Sequence, residues 1–453
     1  MGSTNPNPLK NTILARSIAL AAVAGLTLFA GNAKATATPG TNASYTGSLQ
    51  TYTVTLGGYY NFSAAGAAGG TGYAATTAGG AGASISGTDF LASGTILDIY
   101  IGGTGGSGTQ FSPSSYSGGG GGGGTFITDN LNNPLMVAGG GGGAGGRSVT
   151  NAVGAPGVWT QGSTNGSGGI GSTGNAGAGG GAGFNSSGTG SGTGKGGTNG
   201  PSYAGGAGSK GTSNQGGFGG GGGGGGTASA GANNGGGGGG YNGGNAGGGG
   251  GGGGTSFTAA SFTSVTGTNG ANSGNGFFNL AFTLQNYYLG SNSSGQTMSF
   301  TNGTTKFSNS YVGNIAGDSN NVLTVANTNT LLTNTADLTL GKAGNLNSMV
   351  ISNGGVAANV NGWIGISNTA SNNSVLVTGA SSSWSNSGTL NIGVAGSGSL
   401  TVANGGNISA SGITIAASNG STGTLNIGGF RTNDTSGTIT AATIAFGSGT
   451  GTI

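Results

Sequence analysis

Short apolar pairs recur at a fixed interval through the last third of the chain. The first series comprises Leu323/Val325, Met349/Ile351, Val375/Val377, Leu400/Val402 and Leu425/Ile427. A second series falls between its members and comprises Leu338/Leu340, Ile364/Ile366, Leu390/Ile392, Ile413/Ile415 and Ile444/Phe446. The two members of each pair are two positions apart, so both face the same side of a β-strand.

Two strand series that share a period of about 25 residues predict a right-handed β-solenoid over residues 323–453. Each coil would bury four or five aliphatic side chains at ~1.5–3 kcal/mol each. That gain is smaller than the entropy lost on ordering one coil, so neighbouring coils must stack. An antiparallel β-sandwich is the alternative, but it requires no common register. Residues 286–322 fit the period less well and are either a connector or a degenerate first coil.

Residues 45–285 form a glycine-rich region in which strand-like segments alternate with glycine tracts. The predicted strands are 49–56, 59–62, 94–102, 125–129, 134–138 and 275–283. The tracts are 118–124, 139–143, 219–226, 235–240 and 247–254. A flexible linker is one interpretation, because glycine loses the most backbone entropy on ordering. A linker has no need of internal aliphatic segments, however, which favours an ordered domain in which glycine lets extended chains pack closely.

The glycine-rich region resembles a known family on two sets of residues. The run 118–124, followed by Thr-Phe-Ile-Thr-Asp and Pro-Leu-Met-Val-Ala and then by 139–146, is similar to the glycine-rich domain of the anaplastic lymphoma kinase receptor. The segments 216–220 and 240–246 are similar to the later half of that domain. The resemblance implies a β-sandwich carrying a bundle of polyglycine helices. The receptor's cysteines are absent here, and its cytokine ligand is not carried over.

The solenoid region resembles the repeats of autotransporter passengers. The segment 375–406 contains a Gly-x-x-Ser-x-Trp-like element, then Leu-x-Ile-Gly and Leu-x-Val-x-x-Gly-Gly. This resemblance implies type V secretion, in which a C-terminal β-barrel of the same chain sits in the outer membrane. The barrel is missing from residues 1–453, so we expect the passenger repeats to be truncated at the C-terminus.

The N-terminus has the three parts of a secretory signal peptide, predicted at residues 1–35. Lys10 and Arg16 precede a thirteen-residue apolar run, 18–30, and a small-x-small cleavage site follows at Ala33 and Ala35. A membrane anchor is the alternative, but thirteen helical residues span about 20 Å against a bilayer core of ~30 Å.

Composition excludes several classes of chemistry. Glycine supplies 117 of 453 residues, charged residues are 3%, and histidine, cysteine and glutamate do not occur. Ser-His-Asp and cysteine nucleophiles are therefore impossible, as are thiolate metal sites. Three of the nine cations lie in the signal segment, so the mature chain carries six positive and six negative charges. It lacks the basic stripe that nucleic-acid binding requires.

The remaining candidate residues give weak signals. Asp89 and Asp98 are the closest carboxylates, but they are more simply turn and strand-edge residues. A polysaccharide lyase would need more than Asp337, Asp434, Lys342 and Arg431 in the solenoid, and Lys195 lacks the spacing of a phosphate loop. The three tryptophans could stack on sugars, although Trp363 and Trp384 sit where repeat packing is expected. For the third, Trp159, the sequence does not indicate a packing partner.

We therefore expect a non-enzymatic, exported, surface-exposed autotransporter passenger, an adhesin or structural surface protein. It would have no catalytic, cofactor or metal site and no nucleic-acid partner. Its ligand would be a host or surface protein or glycan, and the missing barrel would hold it to the outer membrane. Two alternatives stay open: a β-helix enzyme that degrades polysaccharides, and a glycine-rich module that binds one protein ligand.

Overall fold

The computed structural model describes residues 40–73, 77–112, 115–146, 153–161, 166–172, 177–190, 193–209, 214–226, 234–247, 249–429 and 434–453. Within these residues every regular element is a β-strand. They divide into two compact units, Gly40–Leu284 and Gln285–Ile453. The signal segment 1–35, with Ala33 and Ala35, lies outside the described residues.

The first unit contains two main sheets. The first sheet has the order β1-β13-β3-β4-β12 and consists of β1 (Gly40–Ser44), β13 (Phe277–Thr283), β3 (Leu56–Ala65), β4 (Gly82–Leu91) and β12 (Thr263–Asn272). The second has the order β10-β11-β9-β8-β5-β2 and consists of β10 (Val158–Gln161), β11 (Thr255–Thr258), β9 (Pro134–Ala138), β8 (Thr125–Asp129), β5 (Ile96–Tyr100) and β2 (Gln50–Thr53). A separate hairpin joins β6 (Gln110–Ser112) to β7 (Ser115–Tyr116). The strands predicted from the sequence are confirmed, whereas β1, β4, β10, β11 and β12 of these sheets were missed.

The two sheets form a β-sandwich around one apolar core. Along β3, Tyr60, Phe62 and Ala64 are buried, and the residues between them are more exposed. They pack in one cluster with Leu97 and Ile99 of the second sheet. The opposite face of the second sheet packs against aromatic side chains of the glycine-rich segments. The second sheet is therefore covered on both faces.

The glycine tracts are ordered as a lattice of polyglycine helices. Along the first tract, the amides of Gly118, Gly121 and Gly124 donate to carbonyls in residues 219–225. The next residues of each triplet donate to 141–144 and to 103–106 instead. Successive amides of the tract thus donate to three different neighbouring segments, and every third amide donates to the same segment. This repeat of three residues is the period of the extended polyproline-II-type helix. The linker interpretation is therefore wrong for these tracts.

The lattice explains why these positions are glycine. A Cβ added at Gly121 would overlap the carbonyl oxygen of Gly237, and one at Gly122 would overlap that of Ala67. Both obstacles are backbone atoms of neighbouring segments of the same chain, and backbone cannot move aside as a side chain can. The tract is therefore packed tightly between these segments, and any residue larger than glycine would push them apart.

The second unit is a right-handed β-solenoid with three strands per coil. Sheet S1 contains β14 (Tyr287–Leu289), β17 (Ser310–Val312), β20 (Leu338–Leu340), β23 (Gly362–Ile364), β26 (Thr389–Ile392), β29 (Gly412–Ile415) and β32 (Ile444–Phe446). Sheet S2 contains β15 (Thr297–Phe300), β18 (Val322–Ala326), β21 (Ser348–Ser352), β24 (Asn373–Thr378), β27 (Ser397–Ala403), β30 (Thr422–Ile427) and β33 (Thr450–Thr452). Sheet S3 contains β16 (Gly303–Phe307), β19 (Thr330–Asn334), β22 (Val356–Asn359), β25 (Ser383–Asn386), β28 (Asn407–Ala410) and β31 (Thr438–Ala441). Its first coil, β14–β16, lies in the segment 286–322.

The first predicted series of apolar pairs is confirmed in register. Leu323, Met349, Val375, Leu400 and Leu425 are neighbours on successive strands of S2, and all five are buried. The inward side of the sheet is therefore one continuous apolar stack. In the last of these pairs the second member, Ile427, is 47% exposed, because β33 pairs only with Thr422–Thr424 of β30 and leaves Ile427 with a neighbouring strand on one side only.

The second series needs one correction. Ile364 is in register with the second member of each neighbouring pair, and Ile366 lies past the end of its strand. Gly362 takes the first position instead. A Cβ there would come within 2.7 Å of Trp384 Cζ2 and of Leu390 Cδ1. The tryptophan of the same coil thus occupies the volume that an aliphatic side chain at residue 362 would fill.

The third strand of each coil was missed from the sequence. Its inward positions carry one apolar residue rather than a pair, namely Leu332, Ala357, Trp384 and Ile408 in successive coils. The next inward position carries asparagine in several coils. Asn359 accepts a 2.7 Å hydrogen bond from Trp384 Nε1 and donates one of 2.7 Å to Asn386 Oδ1. Repeat packing of Trp384 is therefore confirmed.

A buried ladder of asparagine side chains also joins successive coils. Asn321 Nδ2 donates to Asn347 Oδ1 at 2.9 Å, and Asn347 Nδ2 donates to Asn373 Oδ1 at 3.1 Å, each partner being 26 residues away. Each amide satisfies its neighbour's buried polar atoms, so the ladder favours one register between coils.

Candidate binding groove

The outward side of S2 carries two rows of side chains that run along the solenoid axis. The first row consists of Ser348, Ser374, Ser399 and Thr424, which are neighbours on successive strands. These four hydroxyls make no hydrogen bond to another residue of the described chain. The second row consists of Val350, Leu376, Thr401 and Asn426. The rows face outward because the alternating residues of the same strands fill the interior.

Gly429 and Asp434, which belong to a long connection between two strands, form one wall of the groove. In the preceding coil three residues, 404–406, connect β27 to β28, whereas residues 428–437 connect β30 to β31. The longer loop is attached to the shorter one by hydrogen bonds. Asn404 Nδ2 donates to Asp434 Oδ1 at 3.1 Å, and the amide of Thr435 donates to Asn404 Oδ1 at 3.0 Å. The groove between this wall and the two rows has a volume of about 770 Å³.

The groove is lined by uncharged polar groups with an apolar strip in its floor. Eight of the fifteen lining residues carry a hydroxyl or a carboxamide, more of the exposed lining surface is apolar than polar, and Val350 and Leu376 are half-buried in the floor. Asp434 is the single carboxylate among its described lining residues, and these include no lysine or arginine. Such a lining forms hydrogen bonds and apolar contacts and gives little electrostatic attraction to a charged ligand.

The structure does not assemble the scattered charged candidates into one site. Asp89 lies in β4 of the first sheet and Asp98 in β5 of the second. Asp89 is not a turn residue: it is buried and accepts hydrogen bonds from Ser261 Oγ and from the amide of Phe90. Lys195 belongs to the polyglycine lattice, where its carbonyl accepts a hydrogen bond from a tract amide.

In the solenoid, Asp337 and Asp434 serve separate faces. Asp337 precedes β20 of S1, and Asp434 lines the groove on S2. Lys342 lies 5.3 Å from the centre of the Tyr311 ring on the S1 side. Arg431 lies outside the described residues. No group of three or more potential metal-ligating carboxylates occurs in the described ranges.

Trp363 lies on the outside of S1 rather than in the interior. Its Nε1 donates to Asp337 Oδ2 at 3.0 Å, and Asn361 Nδ2 donates to the other oxygen at 3.0 Å. Tyr311 stacks on a neighbouring tyrosine with ring centres 5.2 Å apart. Burial raises the pKa of Tyr311, and Tyr288 and Asp337 raise it further. The carboxylate of Asp337 already holds two donors, so this cluster serves contacts between coils.

Sequence reasoning missed the groove as a site. The hydroxyl row was visible as a serine or threonine directly before the first apolar member of the S2 pair in four successive coils. The wall was not, because an insertion between repeats does not reveal which face it covers. Comparison with known protein families and with curated protein sequences finds no match for this chain. Within the described ranges, no helix has the length and apolar character needed to cross a membrane.

Proposed function

We propose that the chain is a non-enzymatic, exported, surface-exposed passenger that acts as an adhesin. The observation that carries this proposal is the stacked solenoid with a long groove on one face, whose described lining carries one charged side chain, Asp434. A stack of coils extends a binding surface along one axis, which suits a protein that contacts other cells or matrices. The signal-like N-terminus and the resemblance of the repeats to autotransporter passengers support export to the cell surface.

The lining of the groove favours binding over hydrolysis. Hydrolysis of a glycosidic bond uses two carboxyl groups that flank the bond. The described lining supplies one, Asp434, and its Oδ1 already accepts a hydrogen bond from Asn404. A groove of hydroxyls and amides holds a ligand without supplying a general acid and base.

Export is tested in the cells that make the protein. We expect N-terminal sequencing to find a mature chain that begins shortly after Ala33 and Ala35. Protease added to intact cells should remove the solenoid from the surface. As a control, Val23→Arg places a charge in the apolar run and should leave the full-length precursor inside the cell. An uncleaved wild-type chain that intact cells protect from protease would contradict the proposal.

Adhesion is tested with the purified protein. Beads coated with it should attach to cells or matrices, and attachment should fall when soluble protein is added as a competitor. The same protein should release no products from a panel of neutral and acidic polysaccharides. Measurable turnover that scales with protein concentration and disappears in Asp434→Asn would instead support the enzyme alternative.

A further inference from the structure

We infer that the groove on S2 binds a neutral polysaccharide chain that lies along the solenoid axis, with about one sugar residue per coil. The inference deepens the proposed function by naming the ligand class of the adhesive site. Binding of purified protein to a glycan does not depend on where the protein is located. The failure of export and the failure of this inference are therefore distinguishable.

The distance between equivalent side chains on successive coils favours a polysaccharide ligand. Equivalent side chains on successive coils, such as Ser374 and Ser399, are separated by the strand spacing of about 4.8 Å. This is close to the length of one sugar residue in an extended polysaccharide, so successive sugars meet equivalent side chains. An extended peptide presents side chains to one side every ~6.6–6.8 Å and would lose register within two or three coils.

The floor of the groove offers side chains and no free backbone edge. Strand β24 is hydrogen-bonded to β21 on one side and to β27 on the other, and β27 is bonded in turn to β30. A peptide that binds by adding a strand needs an unpaired edge, and the centre of S2 has none. Recognition there must come from hydroxyl and amide side chains, the groups that match the hydroxyls of a sugar.

The composition of the floor matches the two sides of a sugar ring. Sugar rings have C–H faces that pack on apolar surface, and Val350 and Leu376 supply a half-buried apolar strip on adjacent coils. The hydroxyls of Ser348, Ser374 and Ser399 run beside this strip and have no partners in the described chain. They can both donate to a ligand and accept from it.

Charge separates neutral from acidic polysaccharides. An acidic chain would need cations in the groove, and the described lining has none. It does contain the carboxylate of Asp434, which would repel an anionic ligand. The observations therefore favour a neutral chain over a uronic acid polymer.

The test compares isosteric variants on two faces of the full-length protein. The groove variant combines Ser374→Ala, Ser399→Ala and Thr424→Val, which remove three hydroxyls from one row. The control is Thr414→Val, which removes an outward hydroxyl from S1. Circular dichroism and thermal melting check that both proteins keep the solenoid. Calorimetry then measures binding to neutral glucan, xylan and mannan oligosaccharides, to oligogalacturonate and to a library of extended peptides.

The inference predicts that at least one neutral oligosaccharide binds, with affinity rising with its length up to about the number of coils in the groove. The groove variant should weaken this binding about tenfold or more, and the control should leave it unchanged. Equal loss in the control would place the ligand elsewhere. Binding of oligogalacturonate or peptide alone, or no binding across the panel, would overturn the inference.

Discussion

The hydroxyl of Tyr203 is a buried polar group in the first unit. Its ring is fully buried, stacked 4.2 Å from Phe126 and edge-on to Tyr100 at 4.7 Å. Its hydroxyl has no hydrogen-bond partner in the described structure. A buried donor without a partner costs free energy that the ring packing must offset.

We expect Tyr203→Phe to leave the free energy of unfolding unchanged or to raise it by about 1 kcal/mol, because it removes the unpaired hydroxyl and keeps the ring. The matched control is Tyr60→Phe. Tyr60 is equally buried, but its hydroxyl donates to the Leu56 carbonyl at 2.6 Å, so its loss should cost about 0.5–1.5 kcal/mol. Urea unfolding measures both, and a larger loss in Tyr203→Phe than in the control would show that Tyr203 has a partner.

Asp89 should make stability depend on pH. Burial raises its pKa, although hydrogen bonds from Ser261 and from the Phe90 amide act in the opposite direction. The folded state therefore holds the proton more tightly than the unfolded chain, whose aspartate pKa is about 3.9. The contribution is fully present below that value and is lost as pH rises through the folded pKa.

The corresponding measurement compares wild type with Asp89→Asn from pH 3.5 to pH 7. The stability of the variant relative to wild type should rise with pH, by about 1.4 kcal/mol for each unit of pKa difference. Asp129 acts in the opposite sense: hydrogen bonds from Asn133 and Leu131 outweigh burial and lower its pKa. Its effect is common to both proteins and cancels, so a flat difference would contradict the role given to Asp89.

At the scale of elements, the polyglycine lattice should be intolerant of the smallest side chain. A Cβ at Gly121 would overlap the Gly237 carbonyl oxygen, and this backbone belongs to another tract that is itself surrounded. We expect Gly121→Ala to cost more than about 3 kcal/mol or to prevent folding of this unit. Gly274→Ala is the control, because nothing lies within 4 Å of its added Cβ and its backbone φ is not positive. Thermal melting that places both variants near wild type would contradict the packing.

The sequence predicted the strands whose apolar pattern repeats from coil to coil. It missed the strands in which a large side chain fills the space left by a small one. The apolar pairs of S2 recur in five successive coils, from Leu323/Val325 to Leu425/Ile427, so their register followed from spacing alone. The third strand was hidden because Trp384 and Ala357 occupy equivalent positions with very different volumes. Gly362 broke the S1 pattern for a related reason, since Trp384 fills its place. When a large side chain in one strand compensates for a small one in a neighbouring strand, the packing is preserved but the repeat in the sequence is lost.

The groove was only partly predictable for the same kind of reason. Alternation within β21, β24, β27 and β30 predicts an outward row of hydroxyls and a second row with Val350 and Leu376. The wall depends on contacts between Asn404 and the loop that holds Asp434, 30 residues further along the chain. The sequence shows that the connection between these two strands is longer than in the preceding coil. It does not show the hydrogen bonds that attach this connection beside the outward face of S2.

At the scale of the whole molecule, a substitution in the core of the solenoid should destabilise whole coils and not a single strand. Leu400 is fully buried and lies between Val375 and Leu425 on the neighbouring coils. Leu400→Ala should cost about 2–5 kcal/mol, because it leaves a cavity shared by three coils. Each coil is stabilised chiefly by its neighbours, so the loss should spread along the axis and fade with distance.

Hydrogen exchange tests this spread directly. Amide protection should fall most in the coil of Leu400 and in the two coils beside it, and least in the aromatic first coil around Tyr287 and Phe307. Leu376→Ala is the control, since this leucine is half-buried on the outer face and its removal leaves no enclosed cavity. A uniform loss across the unit would mean that the coils unfold as one cooperative block, and a loss confined to β27 would mean that they do not depend on each other. The expected gradient lies between these results, because each coil contacts only the next.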